Sequence, residues 1–276
     1  MVKGMQINIF NTERCAAHPI VMGIVNVTAD SFFSGSRVAL HDAVHVAGQM
    51  LEQGAAIIDI GGQSTRPGAD LISEEEELAR TVPAIQAIAK AFPEAVISVD
   101  TFRATVAERA LQAGASVVND VSGTTLDNRM MDVLAQYRPA YVLMHMRGTP
   151  QSMQQQTDYD DVTAHVLHWL SQKLLELRLA GVHDVAVDPG FGFAKTPEQG
   201  FALLRQLHQF RVLNKPVMAG ISRKSMVYKT LGATADEALN GTTALHMAAL
   251  ISGAGILRVH DVKPAREAIA LYMKMR

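Results

Sequence analysis

Short apolar runs recur along the chain, each followed by polar residues and then by apolar positions at helical spacing. Residues 55–69, AAIIDIGGQSTRPGA, show the unit: Ile57 and Ile58 suit a buried strand, Asp59 closes the run, and Gly61-Gly62 lets the backbone turn. Ser73 and Glu76 then have the form of a capping box. Leu78, Val82, Ile85 and Ala89 mark one helical face, with Pro83 bending the helix. Eight such units are expected. Their strands are 20–25 ending at Asn26, 57–58 at Asp59, 96–99 at Asp100, 116–118 at Asn119 and Asp120, 141–144 at His145, 185–187 at Asp188, 217–219 at Gly220, and 256–257 at Arg258 and His260. The seventh opens into a helical region from Ser222 to Ser252, and Pro264 starts a last helix. Residues 5–10 predict an extra N-terminal strand outside this pattern, and 147–161 a long polar loop. Alternation implies a parallel sheet. Eight repeats favour an α/β fold closed as a (β/α)8 TIM barrel over an open sheet, and 276 residues suit one barrel without a domain boundary.

In a barrel the C-terminal strand ends converge on one pocket. Asn26, Asp59, Asp100, Asn119, His145, Asp188, Lys224, Arg258 and His260 all fall at or just beyond such ends. Asn and Asp also end strands because they make turns, and His145, between two methionines, is the weakest member and reads first as a hydrogen-bonded core residue. Arg66, Arg223, Lys224, Arg258 and His260 gather cationic or donor groups, which implies an anionic substrate. Arginine forks match phosphate oxygens, and the Gly61-Gly62 amides add donors. Asp100, Asn119 and Asp188 are acceptors suited to a ring with amidine-like N–H donors.

The net charge of −2 gives no reason to expect a nucleic-acid or membrane surface. Cys15 is the only cysteine, which excludes an internal disulfide and suits a reducing, cytoplasmic setting. Residues 1–10 lack the features of a signal peptide, and the apolar tract 244–257 is too short to span a bilayer. Phosphate-loop, zinc-protease and CxxC motifs are missing, and 190–193 falls short of a dinucleotide fingerprint. A hard ion such as Mg2+, held with substrate phosphate, is compatible with Asn26.

Eight segments, in order, resemble the dihydropteroate synthase family: GIVNVTADSF (23–32), GGQSTRPGA (61–69), SVDT (98–101), NDVSG (119–123), LMHMRGTP (143–150), DPGFGF (188–193), GISRKSM (220–226) and RVHDV (258–262). The resemblance covers nearly the whole chain and implies a (β/α)8 transferase of folate biosynthesis. Its reaction condenses 6-hydroxymethyl-7,8-dihydropterin diphosphate with 4-aminobenzoate, and sulfonamides compete with the latter. It further implies that Asp100, Asn119, Asp188 and Lys224 bind the pterin, with Met144, Phe193 and Arg258 enclosing it. Asn26, Thr65, Arg66, Arg258 and His260 would hold the diphosphate, with Mg2+ near Asn26. Ser222, Thr65, Pro67, Phe193 and Lys224 would form the aminobenzoate site. Asp30, Ser34, Thr65, Arg66 and Lys224 would serve catalysis, in a cytoplasmic homodimer. Diphosphate departure comes first, through a transient cation at the pterin methylene, because an arylamine is a weak nucleophile.

The chain departs from the family at four loop positions: Ala29 stands where Pro is usual, Gln63 where Glu is usual, Arg147 where Gln is common, and Ser34 in place of a second acid after Asp30. A pterin-binding methyltransferase domain would share the barrel but has no need of the STRPG and SRKS loops. A non-catalytic pterin-binding relative would be favoured only by the altered first loop.

Overall fold

The computed structural model describes residues 8–27, 37–64 and 68–276. Its centre is a ring of parallel strands: β1 (Ile20–Asn26), β2 (Ile57–Gly61), β3 (Val96–Asp100), β4 (Val117–Asp120), β5 (Ala140–Met144), β6 (Val185–Asp188), β7 (Met218–Ala219) and β8 (Ile256–Val259). Strands adjacent in sequence are adjacent in space, and β1 also pairs with β8. A parallel bridge between Val187 and Val217 brings β6 to the β7 segment and completes the (β/α)8 barrel.

Side-chain alternation builds the site. Met22, Ile57, Val117, Ala140, Val142, Ala186, Met218 and Ile256 point inward and form an apolar floor. Their outward neighbours, among them Ile58, Val99, Val118, Leu143 and Leu257, pack with the apolar stripes of the surrounding helices. Two residues above the floor the interior turns polar. Asp59 follows Ile57, Asn119 follows Val117, Asp188 follows Ala186 and Arg258 follows Ile256.

The helices are α1 (Thr12–Ala17), α2 (Arg37–Glu52), α3 (Glu74–Ala91), α4 (Ala104–Ala113), α5 (Met130–Tyr137), α6 (Val162–Leu179), α7 (Pro197–Arg205), α8 (Ser225–Leu231), α9 (Leu239–Ile251) and α10 (Val262–Met275). Ser73 caps α3 by accepting from the Glu76 amide, whereas the Glu76 carboxylate pairs with Arg80, so only half of the expected box forms. Pro83 is accommodated inside one continuous α3. The helical region expected from 222 to 252 is two helices, because Gly232 at φ +63° ends α8 in the left-handed region.

The expected N-terminal strand is corrected where the chain is described. Residues 8–10 form a turn into α1, while 5–7 lie outside the described residues. The amides of Ile9 and Phe10 donate to the Asp184 carboxylate at 2.7 and 2.8 Å instead of to a neighbouring strand. Phe10 joins the apolar floor and closes that end of the barrel. The polar loop 147–161 contains a 3-10 turn, Met153–Gln155, with Met153 fully buried.

Candidate active site at the C-terminal mouth

Strand register sets Asp100 beside Asn119 on β3 and β4, and Asp188 beside Met144 on β6 and β5. Arg258 reaches these groups from β8. Its Nε donates to Asp59 Oδ2 at 2.7 Å, and its Nη2 to Asp100 Oδ2 at 2.6 Å. Asn119 Nδ2 donates to the same Asp59 oxygen at 3.0 Å. Asp59 Oδ1, Asp100 Oδ1 and the Ser98 hydroxyl are buried without a hydrogen-bond partner among the described residues. Oxygens left so in a packed interior call for a donor from a ligand or water. Burial pushes Asp100 up to about 7, with Arg258 pulling down and Asp59 pushing up. Burial opposes the charge on Arg258, but Asp59 and Asp100 outweigh it and hold the guanidinium charged.

The opposite wall pairs an acid with an amine. Asp188 Oδ1 accepts from the Gly190 amide at 2.7 Å, and burial raises its pKa against the pull of Lys224. Burial brings Lys224 down to about 8, partly countered by Asp188. Its Nζ donates to the Phe191 carbonyl and lies 4.5 Å from the centre of the Phe193 ring. Gly190 has φ +75°, and a Cβ there would lie 2.1 Å from the His145 carbonyl oxygen, so no other residue fits this turn. Buried Lys195 ties the same loops together. Its Nζ donates to the Phe193 carbonyl at 2.9 Å and meets His145 Nδ1 at 3.0 Å. Above the polar ring, Phe102, Val121, Met144, Met146, Met153 and Phe193 form an apolar group that can receive a flat ring.

The last two loops are clasped to each other. Ser222 Oγ meets His260 Nδ1 at 3.0 Å and accepts from the His260 amide at 3.2 Å. Arg223 commits its fork to Asp261, with both contacts at 2.8 Å, so it orders the loops instead of offering a cation to the mouth. His145 is likewise turned from the pocket. Burial lowers its pKa to about 2, and its ring packs edge-on against Trp169.

Asp100, Asn119, Asp188, Met144, Phe193, Lys224 and Arg258 are thus brought together, with Ser222 and His260 on the adjoining loops. Asp30, Ser34, Thr65, Arg66 and Pro67 lie outside the described residues. Asn26 is the exposed end of β1. Its Oδ1 lies 3.8 Å from where a Gly61 side chain would begin, and Asp100 flanks the same point, so the missing side chain keeps this edge open. Among the described residues, no three His, Cys, Asp or Glu side chains could together hold a metal. One exposed amide oxygen fits a hydrated Mg2+ carried mainly by substrate phosphate, and does not fit a protein-only cage.

Gln63, the departure from the usual acid, has a role that only an amide can fill. Its Nε2 donates to the carbonyls of Ser64 and Asp70 at 2.8 and 3.0 Å, while its Oε1 accepts from the Ile72 amide at 2.9 Å. A carboxylate cannot donate. Gln63→Glu should therefore cost about 1–3 kcal/mol and lower the melting temperature by a few degrees, measured by calorimetry. An unchanged melting temperature would mean that the loop closes without this staple.

A parallel eight-stranded barrel with acceptors, cations and an apolar lid gathered at its C-terminal mouth has the architecture of a barrel enzyme. The sequence profile described as pterin binding enzyme matches residues 22–260. A dihydropteroate synthase from Synechocystis sp. is 47% identical over 88% of this chain and 85% of its own length. The crystal structure of Yersinia pestis dihydropteroate synthase in a sulfonamide drug complex is 38% identical, covers 95% of each chain, and superposes with a TM-score of 0.89. The Xanthomonas albilineans dihydropteroate synthase in complex with 7,8-dihydropteroate is 34% identical over 94% of each chain, with a TM-score of 0.84. The chain belongs to the dihydropteroate synthase family of pterin-binding enzymes, transferases of folate biosynthesis. The methyltransferase and non-catalytic readings gain no support from these relatives. No helix among the described residues is long and apolar enough to cross a membrane.

Lys195 is the structural contributor that residue patterns did not single out. Asp59 was legible as a strand-end acid, but its partners come from strands remote in sequence. Lys195 carried no signal beyond its place after the GFGF turn.

Proposed function

We propose that the chain condenses 6-hydroxymethyl-7,8-dihydropterin diphosphate with 4-aminobenzoate, giving 7,8-dihydropteroate and diphosphate. The observation that carries this is the polar ring inside the barrel, where two unpartnered carboxylate oxygens lie beneath an apolar group of ring-binding size. Asp100, Asn119 and Asp188 accept the pterin's N–H donors, Lys224 donates to it, and Met144 and Phe193 cover its face. Arg258 and His260, with Thr65 and Arg66, hold the diphosphate and take up its charge as it leaves. Asn26 would hold Mg2+, which supplies further charge neutralisation to the departing diphosphate. Ser222, Pro67 and Phe193 orient the aminobenzoate for attack on the methylene carbon. Incubation with both substrates and Mg2+ should give dihydropteroate and diphosphate in equal amounts. Diphosphate release without dihydropteroate would remove the condensation reading.

The proton states of two site groups bound the working pH. Asp100 must be ionised to accept, and Lys224 must be protonated to donate. With their values about 7 and about 8, kcat/KM for the pterin diphosphate should rise through the first and fall through the second. A profile flat across that range would place neither group on the substrate.

A second copy of the chain fits the exposed face of α8 and α9. Helix α9 is apolar around much of its circumference, and Leu231, Leu239 and Ile251 are 57, 37 and 55% exposed. Sedimentation should give the mass of a homodimer; a monomer at micromolar concentration would remove this reading.

A further inference from the structure

Asp59 has no substrate-binding role in the assignment above, yet it lies at the centre of the polar ring. Its side chain is fully buried, and a single oxygen, Oδ2, serves both Arg258 and Asn119. Arg258 Nη2 also lies 2.6 Å from that oxygen as an ion-pair contact, while its hydrogen bond goes to Asp100. Nη1 takes no part in these contacts.

The two partners are aimed differently. A carboxylate paired to an arginine can only accept, so the amide of Asn119 must turn its NH2 toward Asp59. Its carbonyl oxygen then faces away from Asp59 and is presented as an acceptor. Arg258, meanwhile, is shared between two acids on neighbouring strands, Asp59 on β2 and Asp100 on β3. Asp100 has its Oδ1 free for a ligand's N–H donor while its Oδ2 stays on Arg258. Asp59, deeper on its strand, keeps the Nε–H and fixes the plane of the guanidinium.

We infer that Asp59 is a positioning residue for the condensation: it holds Arg258 in register against Asp100, and it sets Asn119 as an acceptor toward the pterin. This rests on the reading of Asp100 and Asn119 as pterin acceptors. A purely architectural role would stabilise the barrel without favouring either substrate. The positioning role acts on one substrate, because among the described residues the hydrogen bonds of Asp59 go to Asn119 and Arg258 and none goes to Ser222.

The test uses the full-length enzyme and its Asp59→Asn variant. Binding of 6-hydroxymethylpterin is measured by calorimetry, and the KM for 4-aminobenzoate at saturating pterin diphosphate. The expected result is a rise of about tenfold or more in the pterin Kd, with the aminobenzoate KM changed by less than about threefold. A pterin Kd within about twofold of the parent, or equal losses for both substrates, would overturn the inference. Failure of the parent itself to bind the pterin would count instead against the underlying site assignment. If the Asp59→Asn substitution prevents folding, the parent enzyme still decides. The Arg258 Nε–H and Asn119 side-chain amide resonances should stay protected from solvent exchange before and after pterin saturation. Loss of that protection on binding would show that Asp59 lets go of its partners and does not position them.

Discussion

In the Asp188→Ala variant, affinity for the pterin is expected to fall by about 100-fold or more, equivalent to losing about 3 kcal/mol of charge-assisted hydrogen bonding. The acid is almost fully buried, and Lys224, its nearest cation in electrostatic terms, bonds to the Phe191 carbonyl and cannot accept in its place. Removing Asp188 also strips the Gly190 amide of its acceptor and withdraws the charge that supports the Lys224 ammonium. The loss is therefore expected in the binding constant and should persist when 4-aminobenzoate is saturating. Calorimetric titration decides it, with a thermal melt to show that the variant is folded. An unchanged affinity would take Asp188 out of the pterin site.

Arg258→Ala is expected to cost about 3–5 kcal/mol of folding stability, the usual consequence of leaving buried charge without its partner. The deficit should depend on pH in one direction. Asp100, already raised to about 7 in the presence of Arg258, moves higher when the cation is gone. An acid whose folded pKa exceeds its unfolded value favours folding while protonated, and that advantage is lost as pH rises through the folded value. Urea unfolding near pH 5 should thus show a smaller deficit than near pH 8. Equal deficits at both would mean that the guanidinium acts by filling space and not by balancing charge. In the folded fraction, the diphosphate ester should lose more affinity than the free pterin alcohol.

Most of the barrel was legible because its strands are buried on both faces. Runs such as 20–25 and 185–187 are apolar regardless of which side faces the helices, and a polar residue marks where each run meets the mouth. Residues 8–10 misled for the same reason: an apolar pattern there means burial, but Phe10 is buried as a plug at the floor and not as a strand. The break at Gly232 was hidden because α9 is apolar around much of its surface, which blurs the boundary between two helices. In the site, residue type gave the chemistry but not the partners. Arg223 and Arg258 look alike in the chain, yet one is clasped to Asp261 at the rim and the other joins two acids inside the ring. Register across the sheet makes that distinction, and no local pattern carries it.

Arg258 meets Asp59 and Asp100 across 199 and 158 residues of chain. During synthesis both acids leave the ribosome well before their counter-ion, on the order of ten seconds at ordinary elongation rates. Until β8 arrives, a collapsed partial barrel would hold two carboxylates in its interior without the guanidinium that pairs with both, which disfavours premature closure. The same arrangement penalises a ring completed by the wrong strand. Any apolar segment could occupy the gap between β1 and β7 by hydrogen bonding alone, but only the segment bearing Arg258 also neutralises the interior. The salt bridge thus gives the last strand a charge complement that an apolar segment alone does not supply.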